Sequence, residues 1–295
     1  MEEFIVKTIL ENDLCQVTIK HHGAEISSFK LKENNLEFIW QADPNYWGRH
    51  APILFPVVGR LKENKYSYQG TEYHMGQHGF ARDMAFEVEE KSANKVTFLL
   101  TDNEETLKVY PFSFELRLSY ELIGQELEVG YDVRTQSEEM FFAIGGHPAF
   151  NVPLVEDSKF DDYYIHFAPS KSRFLLPLKG PYVDLKEKTL AQTNTSIQLH
   201  REFFKNDAFI LETIGENTFS ILSDKTEHGI SLSYHDLPYV GIWTPYHNDA
   251  PFVCIEPWAG IADTLETTGK IEEKLGINKL VPGEVFERSY KIKIH

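Results

Sequence analysis

The stretches FELRLSYEL (114–122) and LEVGYDVRT (127–135), joined by the link IGQE, decide the fold class. In the first, Phe114, Leu116, Leu118, Tyr120 and Leu122 alternate with Glu115, Arg117, Ser119 and Glu121, and the second resumes the alternation after the link. A period of two sends successive side chains to opposite sides of a strand, so the pair reads as an antiparallel hairpin with one dry face. YSYQGTEYH (66–74) reads as a second hairpin, turned at Gln69-Gly70, and TFSILS and GISLSY around DKTEHG (224–229) as a third. FERSYKIKI (286–294) is a further alternating strand. Helical periodicity is nearly absent, and TTGKIEEKLG (267–276) is the best short candidate. The region 151–205 reads as long loops between strands, and no repeat or Ser/Gly-rich linker marks a boundary. The expectation is all-β: one large antiparallel β-sandwich domain over residues 1–295 with few short helices.

Composition narrows the partners. With 45 acidic against 29 basic side chains, the formal charge is −16, a field that repels phosphate backbones and anionic lipid surfaces. Neither nucleic acid nor membrane is expected as a partner. Cys15 and Cys254 stand far apart without a C-x-x-C, which excludes a disulfide framework and a zinc knuckle and fits a reducing compartment. The start MEEFIVKTILEND is acidic where a signal peptide is basic, and no apolar run is long enough for a membrane span, so the expected location is cytoplasmic.

Familiar catalytic signatures are missing. There is no G-x-S-x-G, no phosphate loop and no H-x-H; His74 and His78 lie in HMGQHG, which holds two glycines beside a hairpin, and His21-His22 point to opposite faces of a strand. Neither a metal nor a cofactor is expected. What remains are polar residues set in apolar, Gly/Pro-punctuated stretches. Arg60 ends APILFPVVGR, His78 and Arg82 lie in GQHGFARD, and His147 interrupts FFAIGGHPAFNVPL (141–154). Glu256 follows five uncharged residues and precedes Pro257-Trp258 in FVCIEPWAGIADT (252–264). Each has a plain structural alternative: a charge at a strand end, a turn histidine, a hydrogen-bonded core histidine, a protonated buried glutamate. Together they are more pointed, because an apolar setting moves Glu toward neutrality and a rigid loop positions His, the two requirements of an acid–base pair. Trp243, Trp258 and Phe150 lie near these points in sequence, and flat aromatic faces suit the C–H face of a sugar.

At these residues the chain resembles the aldose 1-epimerase (galactose mutarotase) family, in particular its LacX-like branch, over roughly Leu14 to Ile294. FPVVGR, QHGFAR, GGHPAFN, FFKNDAFIL and CIEPW follow in the family order, and LVPGEVFERSYKI resembles its terminal strand. The resemblance implies the galactose mutarotase-like supersandwich. It implies Glu256 as base, His147 as protonated general acid and His78 as a further active-site histidine. It also implies Arg60 and Asp207 as sugar-binding residues, with Arg82, Trp258 and Phe150 beside them. The implied reaction is the interconversion of α and β anomers of a free hexose. Three departures bear on the sugar: Ala149 stands where galactose mutarotases have Tyr, Pro257-Trp258 where they have Thr-Gln, and Asn64 lies one residue further from Arg60. HGFAR also resembles hexose-6-phosphate mutarotases, in which Arg82 and Arg49 would meet a phosphate. Other readings of the same residues are a non-catalytic sugar-binding protein and a glycoside hydrolase, the latter needing a second carboxylate beside Glu256.

Overall fold

The chain forms two large antiparallel sheets in a computed structural model that describes residues 6–295, and the alternating stretches other than 66–74 lie in one of them. Residues 1–5, part of the acidic start considered above, lie outside the described segment. The hairpin at 114–135 is observed as Glu115–Ile123 against Glu126–Arg134, with Leu122 opposite Leu127, Tyr120 opposite Val129 and Leu118 opposite Tyr131. These side chains are all buried, as the alternation requires. Phe286–Ile294 pairs with the second strand and carries the sheet on to Ile230–Tyr234, Asn217–Ser223 and Tyr163–Ala168, making nine strands in all. The 66–74 hairpin turns through Gln69 (φ 48°) and Gly70 (φ 81°), the left-handed pair that a two-residue turn favours.

The second sheet has eight strands, with Phe252–Ala259 near its centre between Tyr239–Trp243 and the segments Ile144–Gly146 and Ala149–Asn151. The main apolar core draws on both sheets, with Leu118, Val129 and Ile292 from one and Val240, Ile242, Val253 and Ile255 from the other. Among the described residues no helix is long and apolar enough to cross a membrane.

Three sequence expectations change. The 267–276 segment forms only a 3-10 turn at Ile271–Glu273, because Gly269 and Gly276 take left-handed φ and Ser67 bonds Gly269. A short α-helix, Glu104–Val109, arises where none was expected, held by an N-terminal cap. Asn103 accepts from the Glu105 and Thr106 N–H groups, and the Thr106 hydroxyl accepts from the Asn103 N–H. The region 151–205 is not all loop: Tyr163–Ala168 joins the nine-stranded sheet and Arg173–Leu175 the eight-stranded one.

One buried carboxylate sets the backbone that leads to the site. Glu25 accepts from the N–H groups of His50 (2.8 Å) and Ala51 (3.2 Å) and lies 3.4 Å from both Lys20 Nζ and His50 Nδ1. Burial alone would raise its pKa, but the His50 side-chain and backbone hydrogen bonds outweigh it and hold Glu25 at about 2. A depressed carboxylate stabilises the fold above its unfolded value near 4.5, and that contribution is lost as pH falls through the folded value. The amount is on the order of 3 kcal/mol. In urea denaturation from pH 6 to pH 2, Glu25→Gln should flatten the fall in stability between about 4.5 and 2. A slope equal to that of the unsubstituted protein would show that Glu25 is not held in this way.

Candidate active site

The strand Phe252–Ala259 sends Val253, Ile255 and Ala259 into the main core and Glu256 and Trp258 to the opposite face, where they line a cavity of about 730 Å³. On one flank Gly145 pairs with Trp258 and Ala149 with Cys254, in the same register. His147 therefore lies directly across from Glu256. Pro148 and Pro257 have no N–H, so the ladder is thinned there to the Ile255 N–H donating to the Pro148 carbonyl (3.3 Å), while the His147 N–H donates to Pro52 (3.1 Å) and the Ala149 N–H to His50 (2.9 Å). The two glycines and the proline of GGHP thus have separate uses. Gly145 sits under an indole ring, Gly146 packs against the Tyr290 hydroxyl, where a Cβ would collide, and Pro148 leaves the ladder open beside His147.

His147 Nε2 lies 3.2 Å from Glu256 Oε2, with the side chains only 8% and 3% exposed. Burial pushes Glu256 well above the usual carboxylate range, reinforced by the Asp207 charge, and pushes His147 down. Both shifts favour an uncharged pair that holds one proton between two heavy atoms in contact. The expected protonated His147 beside an ionised Glu256 is thus disfavoured by desolvation in the unliganded protein. Trp47 stacks on the imidazole (4.8 Å, 27°) and Trp243 meets it edge-on (5.7 Å, 86°), fixing the ring plane.

His78 is the second imidazole of the site, 5.5 Å from His147 between ring centroids. Its backbone is left-handed (φ 67°), held by its N–H donating to the Gly59 carbonyl (2.9 Å). The Gly59 N–H in turn donates to Nδ1 (3.1 Å), and the Gln77 side-chain amide nitrogen lies 3.2 Å from Nε2 of the His78 ring. Burial, with the neighbouring His147 and Arg82, holds its pKa well below the ordinary value.

Arg60, Arg82, Asp207 and Trp258 all line the cavity. Arg60 Nε donates to Gln77 Oε1 (3.2 Å). Arg82 donates to the Gln77 carbonyl (2.7 Å), while its Nε is buried without a partner; burial and the Arg49 charge lower its pKa to about 10. Arg49 bonds Asp83 (2.8 Å) beside the rim. Asp207 takes a left-handed φ of 75° and accepts from the Ala208 N–H. Phe150 does not belong to the site. It pairs with Val253, and cross-strand partners point to the same side, so its ring is fully buried in the main core. Asn64 also lies outside the lining.

Trp47, Gln77, Lys205, Tyr246 and His247 line the cavity as well, and sequence reasoning did not single them out. Only Gln77, adjacent to His78 in GQHGFARD, carried a local signal. Sequence also joined no metal ligands, yet the donor atoms of His147, Cys254 and Glu256 lie within 4.8 Å of one another. Burial raises the pKa of both the Cys254 thiol and the Glu256 carboxyl and so favours their protonated forms, against which a cation would have to compete.

Trp258 forms the floor. Its indole crosses the backbone of Gly145 on one neighbouring strand and Gly241 on the other, and a Cβ on either glycine would overlap the ring. Its Nε1–H is buried with no partner. Gly241→Ala should unseat the indole, changing the near-UV circular dichroism and costing about 1–3 kcal/mol by overpacking. An unchanged spectrum and melting temperature would show that the ring does not rest there.

Comparison with known proteins agrees with this fold. The family model described as Aldose 1-epimerase matches residues 7–293. The plasmid and chromosomal LacX proteins of Lactococcus lactis subsp. lactis are each 35% identical, over 97% of this chain and 98% of theirs. The structure of a galactose mutarotase related enzyme from Lactobacillus acidophilus superposes with a TM-score of 0.97 at 45% identity, covering 98% of this chain and 97% of that one. A galactose mutarotase-like protein from Lactobacillus casei gives 0.90 at 35% identity, covering 98% and 100%. A galactose 1-epimerase from Lactobacillus acidophilus, 14% identical over 99% and 94% of the two chains, shares the fold with a TM-score of 0.72. With its antiparallel β-sandwich of the galactose mutarotase type and a match along nearly its whole length, the chain belongs to the aldose 1-epimerase family, whose members bind sugars.

Proposed function

We propose that this protein interconverts the α and β anomers of an aldohexose by passing protons through the His147–Glu256 pair. The observation that carries the reading is the 3.2 Å contact between two buried titratable groups at the floor of a polar cavity. Ring opening needs one group to take the proton of the C1 hydroxyl and another to give a proton to the ring oxygen as the C1–O5 bond breaks. The aldehyde rotates about C1–C2, and closure reverses both transfers. A pair holding one proton meets this demand in either direction, because shifting the proton between the two residues exchanges acid and base. His78, beside His147, stands on the ring-oxygen side. Arg60 and Asp207 meet hydroxyls, and the Trp258 ring underlies the sugar's C–H face. We assign the chain to the cytoplasm and read residues 1–295 as one domain.

A second reading has its own support. Arg60 and Arg82 converge on the cavity, Arg82 Nε has no hydrogen-bond partner and stands 3.7 Å from the Asp83 carboxylate, and no carboxylate forms an ion pair with Arg60 among the described residues. This excess of local positive charge suits a hexose carrying a phosphate.

Anomer exchange followed by NMR or polarimetry separates these readings. Acceleration of α-D-glucose or α-D-galactose equilibration supports the free sugar. Preference for glucose 6-phosphate, lost in Arg82→Ala, supports the phosphorylated one, and saturable binding without acceleration leaves a sugar-binding protein. Glu256→Gln and His147→Asn should each lower kcat by about 10²–10⁴-fold. Rates like those of the unsubstituted protein would refute the mechanism.

The pH profile tests the protonation state. Activity falls at low pH when the pair gains a second proton, which a lowered His147 delays, and at high pH when it loses its only proton, which a raised Glu256 delays. The expected kcat profile is flat through pH 6.5. An inflection at that ordinary histidine value would contradict it.

A further inference from the structure

We propose that Asp263 and Lys274 form a positioning pair that holds Arg60 and the adjoining cavity wall in place; the proposal rests on the role of Arg60 in sugar binding given above. Arg60 lies in no strand or helix, and its exposed side chain reaches the cavity from a loop. Something outside the sheet must fix that loop, and the contacts converge on one residue. The Asp263 N–H donates to the Arg60 carbonyl (2.9 Å), and Asp263 Oδ2 accepts from the Lys62 N–H (2.8 Å). The backbone is thereby held on both sides of the Arg60–Lys62 step. The Asp263 carbonyl also accepts from the Val183 N–H (2.9 Å), two residues beyond the cavity-lining Pro181. Ala262 lines the cavity and fills the space where a Cβ on Gly59 (φ 70°) would lie.

The other carboxylate oxygen, Oδ1, accepts from Lys274 Nζ at 2.8 Å, and both side chains are 3% exposed. Burying two charges is costly, and apolar residues of similar size often serve stability as well. An apolar pair cannot accept the Lys62 N–H. The use of the ion pair is therefore geometric: Lys274 holds the Asp263 carboxylate in place, and Asp263 sets the path of residues 60–62. No reacting atom is touched, so the effect falls on substrate affinity.

The test is a double-mutant cycle between Asp263→Ala and Arg60→Ala, read on kcat and KM for anomer exchange with the best-used of D-glucose, D-galactose and glucose 6-phosphate. Asp263→Ala should raise KM about tenfold, the scale of one hydrogen bond to a charged group, with kcat within about twofold. In the Arg60→Ala background it should add nothing further to KM. Asp263→Asn, which keeps an oxygen for the Lys62 N–H, should recover most of the affinity. If Asp263→Ala unfolds the chain by stranding the Lys274 charge, Asp263→Ala/Lys274→Met removes both charges and the cycle is run on that pair. An equal rise in KM on both backgrounds, an unchanged KM, or a loss confined to kcat would overturn the proposal. The same cycle is read on D-glucose and glucose 6-phosphate affinity by calorimetry. An unsubstituted protein that binds without accelerating exchange would then refute the mutarotase reading while still deciding this one.

Discussion

Everything distinctive about the site follows from placing two titratable side chains where water does not reach and letting each be the other's nearest polar partner. His147 and Glu256 lie 3.2 Å apart and are almost wholly buried. Isolated, either group would be costly in its charged form; together they accommodate one proton with no net charge. The surroundings enforce this state. Trp47 and Trp243 fix the imidazole plane, and among the described residues no Lys or Arg forms an ion pair with Glu256. A neutral donor–acceptor pair at the floor of a cavity is well matched to a reaction that moves one proton off a hydroxyl and one onto a ring oxygen.

The pair depends on strand register. His147 meets Glu256 because Gly145 opposite Trp258 and Ala149 opposite Cys254 hold one register across an interrupted ladder. A one-residue slip would turn Glu256 into the core and Ile255 toward the cavity. The prolines on both strands remove donors between the flanking pairs, where the Ile255 N–H still reaches the Pro148 carbonyl (3.3 Å), and on the other side the carbonyls of Pro52 and of His50, the latter anchored through Glu25, accept from His147 and Ala149. Trp258 depends on the same strands, since Gly145 and Gly241 leave room for its ring. Glycines and prolines that look like interruptions in the sequence are the features that let a β-sheet carry a site.

Much of this was legible in the sequence where a single physical rule operated. Alternation identified the 114–135 hairpin and the 286–294 strand because one face of each is dry, and Gln69-Gly70 identified the turn of the 66–74 hairpin. Family resemblance named His78, His147, Glu256, Arg60 and Asp207, which the structure brings to one cavity. Other features depended on partners far along the chain. Phe150 looked like a site residue beside His147, but its face is set by Val253, about a hundred positions away. Trp47 had no local mark because its role is to stack on a ring from another segment. The Asn103 cap was missed because a helix of one and a half turns has almost no periodicity to read. The strand at 163–168 was hidden among polar loops.

The central claim is that Glu256 and His147 share one proton at neutral pH. Carbon-13 NMR of the Glu256 carboxyl, assigned by its disappearance in Glu256→Gln, tests this directly. The account predicts the shift of a protonated carboxyl at pH 7, with no titration near the ordinary glutamate value of 4.5. A carboxylate shift at pH 7, titrating near 4.5, would contradict it.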